Sequence, residues 1–357
     1  MTLTPASSLA QTPANTPIRS DAEIGKILKD HVGAENLGIG IVVGVIDAKG
    51  RRIIAYGSLA KDDKRPLNGD TIFEIGSITK VFTSLLLMDM TEKREVSVTD
   101  AVSKYLPAEA KAPERNGARI TLQDLATHRS GLPAEPFPMT NPYYTFTIEQ
   151  FYDFLAGYKL TRDVGSQFEY SNIGVALLGH ALSLRARISY EELIKTRILG
   201  PLGMRDTQIT LPPETKTRLA VGHDSDLKAV PNLDSSTRVP LAPAGALLSS
   251  ANDLLRFLAA NLGYTKTPLA SAMAAALSIR WPTLPSMTGM EIAYNWIVQT
   301  KNGKSIIWHN GATPGYRAFV GFDSKSRTGV VVLSNRFWPS LPDDLGRHLL
   351  DQSYPLP

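Results

Sequence analysis

The sequence predicts an α/β fold of the α+β kind: an antiparallel sheet flanked by helices, with an all-helical subdomain inserted into it. β-Branched runs lie near the N-terminus, further ones lie near the C-terminus, and apolar residues at helical spacing fill the region between. Strands at both ends with helices between imply that the N-terminal hairpin and the C-terminal strands form one sheet, which makes the helical middle an insertion. The expected division is a disordered tail over residues 1–19, a sheet subdomain from 20–82 and 240–357, and a mainly helical subdomain from 83–239.

Taken in order, Met1 to Arg19 is rich in Thr, Pro, Ala and Ser and lacks the basic start and apolar run of a signal peptide. Ser8-Leu9-Ala10 has small residues of cleavage-site type, so a periplasmic or secreted location is expected if a signal was removed, and a cytoplasmic one otherwise. Ile24, Ile27, Leu28 and His31 mark a short amphipathic helix. Ile39 to Ile46 and Arg52 to Tyr56 form a hairpin across Asp47-Ala48-Lys49-Gly50. From Leu85 to Leu202 the pattern is mostly helical, broken by loops such as Ser130-Gly131-Leu132-Pro133 and Phe137-Pro138. A helix over Asn252 to Asn261 follows Ser249-Ser250. Strands are expected over Tyr294 to Thr300, Ser305 to His309, Arg317 to Phe322 and Gly329 to Leu333, with Asn302-Gly303 as a tight turn and a last helix from Asp343 to Leu350.

Composition excludes several classes. A net charge of +4 is spread along the chain without a basic stripe, which argues against nucleic acid. The absence of cysteine removes disulfides, thiolate metal sites and a cysteine nucleophile. No run reaches the roughly eighteen apolar residues of a membrane span. No His/Asp/Glu spacing suggests a metal and no glycine-rich phosphate loop occurs, so no cofactor is expected. A small-molecule substrate and a monomeric chain are the expectation.

The chemistry centres on Phe73-Glu74-Ile75-Gly76-Ser77-Ile78-Thr79-Lys80. Val81, Phe82, Leu85 and Leu86 follow at helical spacing, which puts Ser77 at or just inside the start of a buried helix. Residues three apart on a helix are separated by about 60° and about 4.5 Å along the axis, so Lys80 can reach the Ser77 hydroxyl. Two other Ser-x-x-Lys sequences, from Ser58 and Ser225, open no apolar helix. Tyr170-Ser171-Asn172 stands at the entrance of a second apolar helix, where Ser and Asn also make good N-caps. Trp308-His309-Asn310-Gly311-Ala312 lies on a strand.

In that order the three motifs resemble the penicillin-recognising serine hydrolases, the family of class C β-lactamases, D-alanyl-D-alanine carboxypeptidases and related esterases. The resemblance runs from about Ile39 to Asp351 and takes in Leu125 to Pro133, Pro201 to Thr207 and Ala244 to Phe257. It implies the β-lactamase/transpeptidase-like fold, with the site where the two subdomains meet. Ser77 is then the nucleophile that forms an acyl-enzyme, and Lys80 and Tyr170 are a coupled acid–base pair, either of which could serve as the base. Asn172 has the donor and acceptor to hold Lys80 and a substrate amide. The oxyanion would sit between the backbone N–H groups of Ser77 and Ala312, with Gly311 admitting the substrate backbone. His309, Asn310, Gly311 and Ala312 are the expected substrate-binding strand.

The third motif departs from the Lys-Thr-Gly usual in class C enzymes. A histidine with an ordinary pKa near 6.5 would attract a substrate carboxylate weakly or in a pH-dependent way. Arg336, just past the last strand, is a candidate to restore the charge, with a surface position as the plainer alternative. Glu135 falls where class C enzymes tend to have glutamine and would disfavour anionic acyl side chains. The leading expectation is β-lactam hydrolysis. The alternatives are a D-alanyl-D-alanine carboxypeptidase or other D-amino acid peptidase, a carboxylesterase, and a noncatalytic ligand-binding relative. His128 and His180 are expected to be structural.

Overall fold

A computed structural model describes residues 18–33, 39–137 and 144–356, so most of the N-terminal tail and Pro138 lie outside the described residues. The strands are β1 (Gly40–Asp47), β2 (Gly50–Gly57), β3 (Ile72–Glu74), β4 (Glu114–Arg115), β5 (Ala118–Arg119), β6 (Leu248–Ser250), β7 (Trp281–Pro282), β8 (Met290–Ile292), β9 (Ile297–Lys301), β10 (Lys304–Thr313), β11 (Tyr316–Asp323) and β12 (Thr328–Ser334). Eight of them form one sheet in the order β2-β1-β12-β11-β10-β9-β8-β7, with every neighbouring pair antiparallel. The N-terminal hairpin joins the C-terminal strands through β1 and β12, where Ile41 pairs with Ser334 and Ile46 with Gly329.

The central strands β1, β11 and β12 are buried on both faces, which is why they read as nearly continuous apolar runs. Side chains alternate along a strand, so Val331 and Leu333 join the core shared with the helical region. Val330 and Val332 pack instead with Ile24, Leu28 and Leu345, from the helices Asp21–Val32 and Leu341–Leu350. A short 3-10 turn, Gly76–Ile78, leads into helix Thr79–Glu92. That helix crosses the 82/83 division and belongs to the larger core, with Phe82 4.5 Å from the Phe257 ring and Phe257 stacked on Trp296. Burial on all sides fixes this helix, and with it the start of the site.

Two strand boundaries differ from expectation. Tyr294 and Asn295 stay out of β9 because the Asn295 backbone N–H donates to Ala126 O and its side chain to Ser84, which tether the segment to the helical region. β10 runs on to Thr313, well past His309. The pairing of β3 with β6 has no counterpart in the sequence reading, since three-residue strands carry too little periodicity to detect. No helix among the described residues is long and apolar enough to cross a membrane.

Candidate active site

Every residue from Thr71 to Met90 is buried except Ser77, which is partly exposed. The local fold explains this: β3 and the buried helix pull the chain inward on both sides, and the 3-10 turn between them lifts one hydroxyl into an open cleft. The cleft is lined by Glu74, Ser77, Glu135, Asn172, Arg238 and Ala312, among others.

Lys80 lies one turn further on with its Nζ 2.8 Å from Ser77 Oγ, and it donates to Ala244 O at 2.6 Å. The 242–247 segment is held there by the helix itself. Thr83 Oγ1 donates to Pro243 O at 2.7 Å, and the Leu247 N–H donates to Thr79 Oγ1 at 3.1 Å. Lys80 is wholly buried and among the described residues no carboxylate lies within ion-pair distance of it. Burial therefore brings its ammonium down to about 7, against a smaller opposing pull from Glu135. An amine that is partly neutral near neutrality can accept the serine proton.

Tyr170 stands just before helix Asn172–Ala186, whose N-cap is Ser171. Lys80 Nζ lies 4.9 Å from the centre of the Tyr170 ring. Burial raises the phenol well above its usual range; a hydrogen bond with Ser77 works against that shift, and Glu135 adds to it. The cation that a phenolate would need is itself close to neutral. His128, expected to be structural, braces this segment: its Nδ1 accepts the Ser171 N–H at 3.1 Å and its ring lies 4.5 Å from that of Tyr170.

The third motif approaches from the sheet. Lys304 and Lys301 flank one two-residue turn, and Thr313 and Tyr316 flank another. Such turns close on a hydrogen-bonded pair, so even-numbered residues of β10 direct their backbone groups towards β9 and odd-numbered ones towards β11. β9 ends opposite Trp308. The N–H of Ala312 thus leaves an open edge, and there it meets the Ser77 turn, where a Cβ on Gly76 would stand 2.9 Å from Ala312 N. A Cβ on Gly311 would come within 3.2 Å of Ser77 N. The backbone nitrogens of Ser77 and Ala312 thereby lie at one contact between the turn and the strand.

His309 shares the Gly311 face, is buried, and its Nδ1 donates to Asn310 O at 2.6 Å. Burial and the nearby Lys80 bring its pKa down to about 3, which removes the pH-dependent attraction expected of an ordinary histidine. The Asn310 side chain lies on the opposite face of the sheet from Gly311 and donates to Asp343 Oδ2 at 2.6 Å, alongside Arg317. Strand alternation accounts for this; Ala312 shares the Asn310 face and lines the cleft from the end of the strand, where it is exposed, whereas Asn310 is half-buried against Asp343. Asn172 Nδ2 donates to Glu135 Oε1 at 2.5 Å, while the Lys80 contact expected of Asn172 is made by Ala244 instead. Arg336 stacks on Trp338 and donates to Ser225 O, away from the cleft.

Three contributors were given no role by the sequence reading. Glu74, buried and raised in pKa chiefly by burial, accepts from Asn232 Nδ2 at 3.0 Å and the Leu233 N–H at 2.8 Å, tying the 232–238 segment to the cleft. Arg238 lines the cleft from that segment, and Ala244 supplies the carbonyl on Lys80. None belongs to a spaced motif. Among the described residues no group of three or more His, Cys, Asp or Glu could hold a metal ion.

Comparison with known proteins places the whole chain among relatives. A family model described as Beta-lactamase matches residues 31–353. The chain is 28% identical over 349 residues to the D-alanyl-D-alanine-carboxypeptidase/endopeptidase AmpH of Escherichia coli, covering 93% of this chain and 89% of that one. It is 26% identical over 363 residues to a β-lactamase of Lysobacter lactamgenus, covering 93% and 91%. The crystal structure of a class C β-lactamase from Rhodobacter sphaeroides superposes with a TM-score of 0.79 at 25% identity, covering 94% of this chain and 99% of that one.

Proposed function

The chain belongs to the β-lactamase family of serine hydrolases that work through an acyl-enzyme, and from that premise we propose that Ser77 is the nucleophile and a β-lactam amide its substrate. The observation that carries this reading is the buried Lys80 amine, with a pKa of about 7, 2.8 Å from Ser77 Oγ. As Ser77 Oγ attacks the carbonyl, its proton passes to Lys80 Nζ, and the oxyanion is held by the N–H groups of Ser77 and Ala312. Tyr170, protonated in the free enzyme, gives its proton to the leaving nitrogen and recovers one from Lys80. It then orients the water that releases the acyl group. Lys80 rather than Tyr170 is the base in acylation, because burial favours the neutral form of both: that leaves the lysine with a free lone pair to accept a proton and the tyrosine with a proton to give. Asn172 offers its remaining amide capacity to the substrate amide.

A second reading is favoured by one feature. His309 stays neutral where class C enzymes usually carry a lysine, so the pull on a substrate carboxylate is weak and simple esters, which lack that group, become competing substrates; the similarity to a D-alanyl-D-alanine-carboxypeptidase/endopeptidase adds D-alanyl peptides to them. Steady-state turnover of a chromogenic cephalosporin, a D-alanyl-D-alanine peptide and a p-nitrophenyl ester separates these readings, with Ser77→Ala as control. Cephalosporin turnover that is lost in the variant supports the β-lactamase reading. Turnover of the peptide or ester alone would move the assignment to that substrate.

A further inference from the structure

Glu135 has no direct cationic partner among the described residues. Its Oε1 accepts from Asn172 Nδ2 at 2.5 Å and its Oε2 from the Tyr144 hydroxyl at 3.3 Å, and among the described residues no lysine or arginine lies within ion-pair distance. The residue is half-buried and lines the same cleft as Ser77. Its charge is felt at the reacting groups, since it acts on both Lys80 and Tyr170. Arg238 lines the cleft too, 5.5 Å from the centre of the Tyr144 ring; it hydrogen-bonds the Tyr144 hydroxyl that donates to Glu135, and so reaches the carboxylate through that hydroxyl without a direct ion pair. A carboxylate serving only to orient Asn172 does not need its charge, because a glutamine oxygen accepts the same hydrogen bond in a weaker, neutral form. A partly desolvated carboxylate is costly without a counter-charge.

We propose that Glu135 selects acyl donors whose acyl group carries a protonated amine, the ammonium donating to the carboxylate beside Asn172 while the scissile carbonyl lies at Ser77. The inference rests on the serine acyl-hydrolase reading above and names the substrate class within it.

The test compares two penicillins that differ by one amine, ampicillin and benzylpenicillin, at about pH 6.5, where an α-amine of ordinary pKa is mostly charged. The quantity read is the ratio of their kcat/KM values, in which any change common to both substrates cancels. The wild-type ratio should favour ampicillin, and Glu135→Gln should lower it about tenfold, the difference between a charge-assisted and a neutral hydrogen bond. Raising the salt from 0.1 M to 1 M shortens the screening length from about 10 Å to about 3 Å, so the wild-type ratio should fall and that of the variant should not. A ratio unchanged by the substitution, with both penicillins still turned over, would overturn the inference and leave the hydrolase reading standing. Turnover of neither penicillin by the wild type would overturn both.

Discussion

A Cβ placed on Gly311 would stand 1.9 Å from the carbonyl oxygen of Ile75. The strand that carries the third motif and the turn that carries the nucleophile are therefore in backbone contact, with no room for a side chain between them. Gly311→Ala must push β10 away from the Ser77 turn and move the Ala312 N–H off the oxyanion. Loss of one such donor costs about 10²–10³ in rate, and we expect kcat/KM to fall at least that far. Overpacking should also lower stability by about 1–3 kcal/mol, which thermal unfolding can measure.

Lys80 gives the acylation rate its pH dependence. With the amine near 7, the rate should rise about tenfold per unit as pH increases towards 7 and level off above it. Lys80→Arg, charged at every working pH, should show almost no acylation. Stability carries the same signature. An unfolded lysine binds its proton up to about 10.4, so the unfolded state holds more protons between about pH 7 and that value, and wild-type stability rises with pH across this window. Lys80→Met should abolish activity and raise the melting temperature most at pH 7 and below, where the buried charge is fully present. Stopped-flow acylation and calorimetry across pH check the two halves.

His309 should behave as a neutral ring throughout the physiological range. Nitrogen NMR of the imidazole is expected to show a proton on Nδ1, which faces Asn310 O, and no titration between pH 5 and 8. A midpoint near 6.5 would contradict the assignment. Since the unfolded ring takes up its proton near 6.5 and the folded one near 3, this residue removes stability as pH falls between those values.

Asn310 should matter to the fold rather than to the substrate. Asn310→Ala withdraws a donor from the buried Asp343 carboxylate, and a loss of about 1–3 kcal/mol is expected in denaturant unfolding. The change in kcat/KM should stay within about twofold, against a larger loss if Asn310 bound substrate.

The sequence made Ser77 and Lys80 legible because their relation is local: three residues on a helix share a face whatever surrounds them. Tyr170-Ser171-Asn172 was legible for a related reason, as polar residues at the mouth of an apolar helix. His309, Gly311 and Ala312 could be placed on a strand, but reading the motif as one consecutive block passed over the alternation that carries the Asn310 side chain to the far face. Glu135 was singled out because it falls where class C enzymes tend to have glutamine, and its contacts with Asn172 and Tyr144 come from tertiary packing. Ala244 and Arg238 reach the cleft from a segment that sequence spacing does not connect to Ser77. The pKa values of Lys80 and His309 depend on burial, which no motif records.

The central claim is that Ser77 is acylated. Rapid-quench mixing with benzylpenicillin, followed by digestion and mass spectrometry of the peptide that contains Ser77, tests it most directly. One acyl group on that peptide, absent in Ser77→Ala and strongly delayed in Lys80→Arg, is the predicted result. A covalent adduct on another residue, or one that persists in Ser77→Ala, would contradict it.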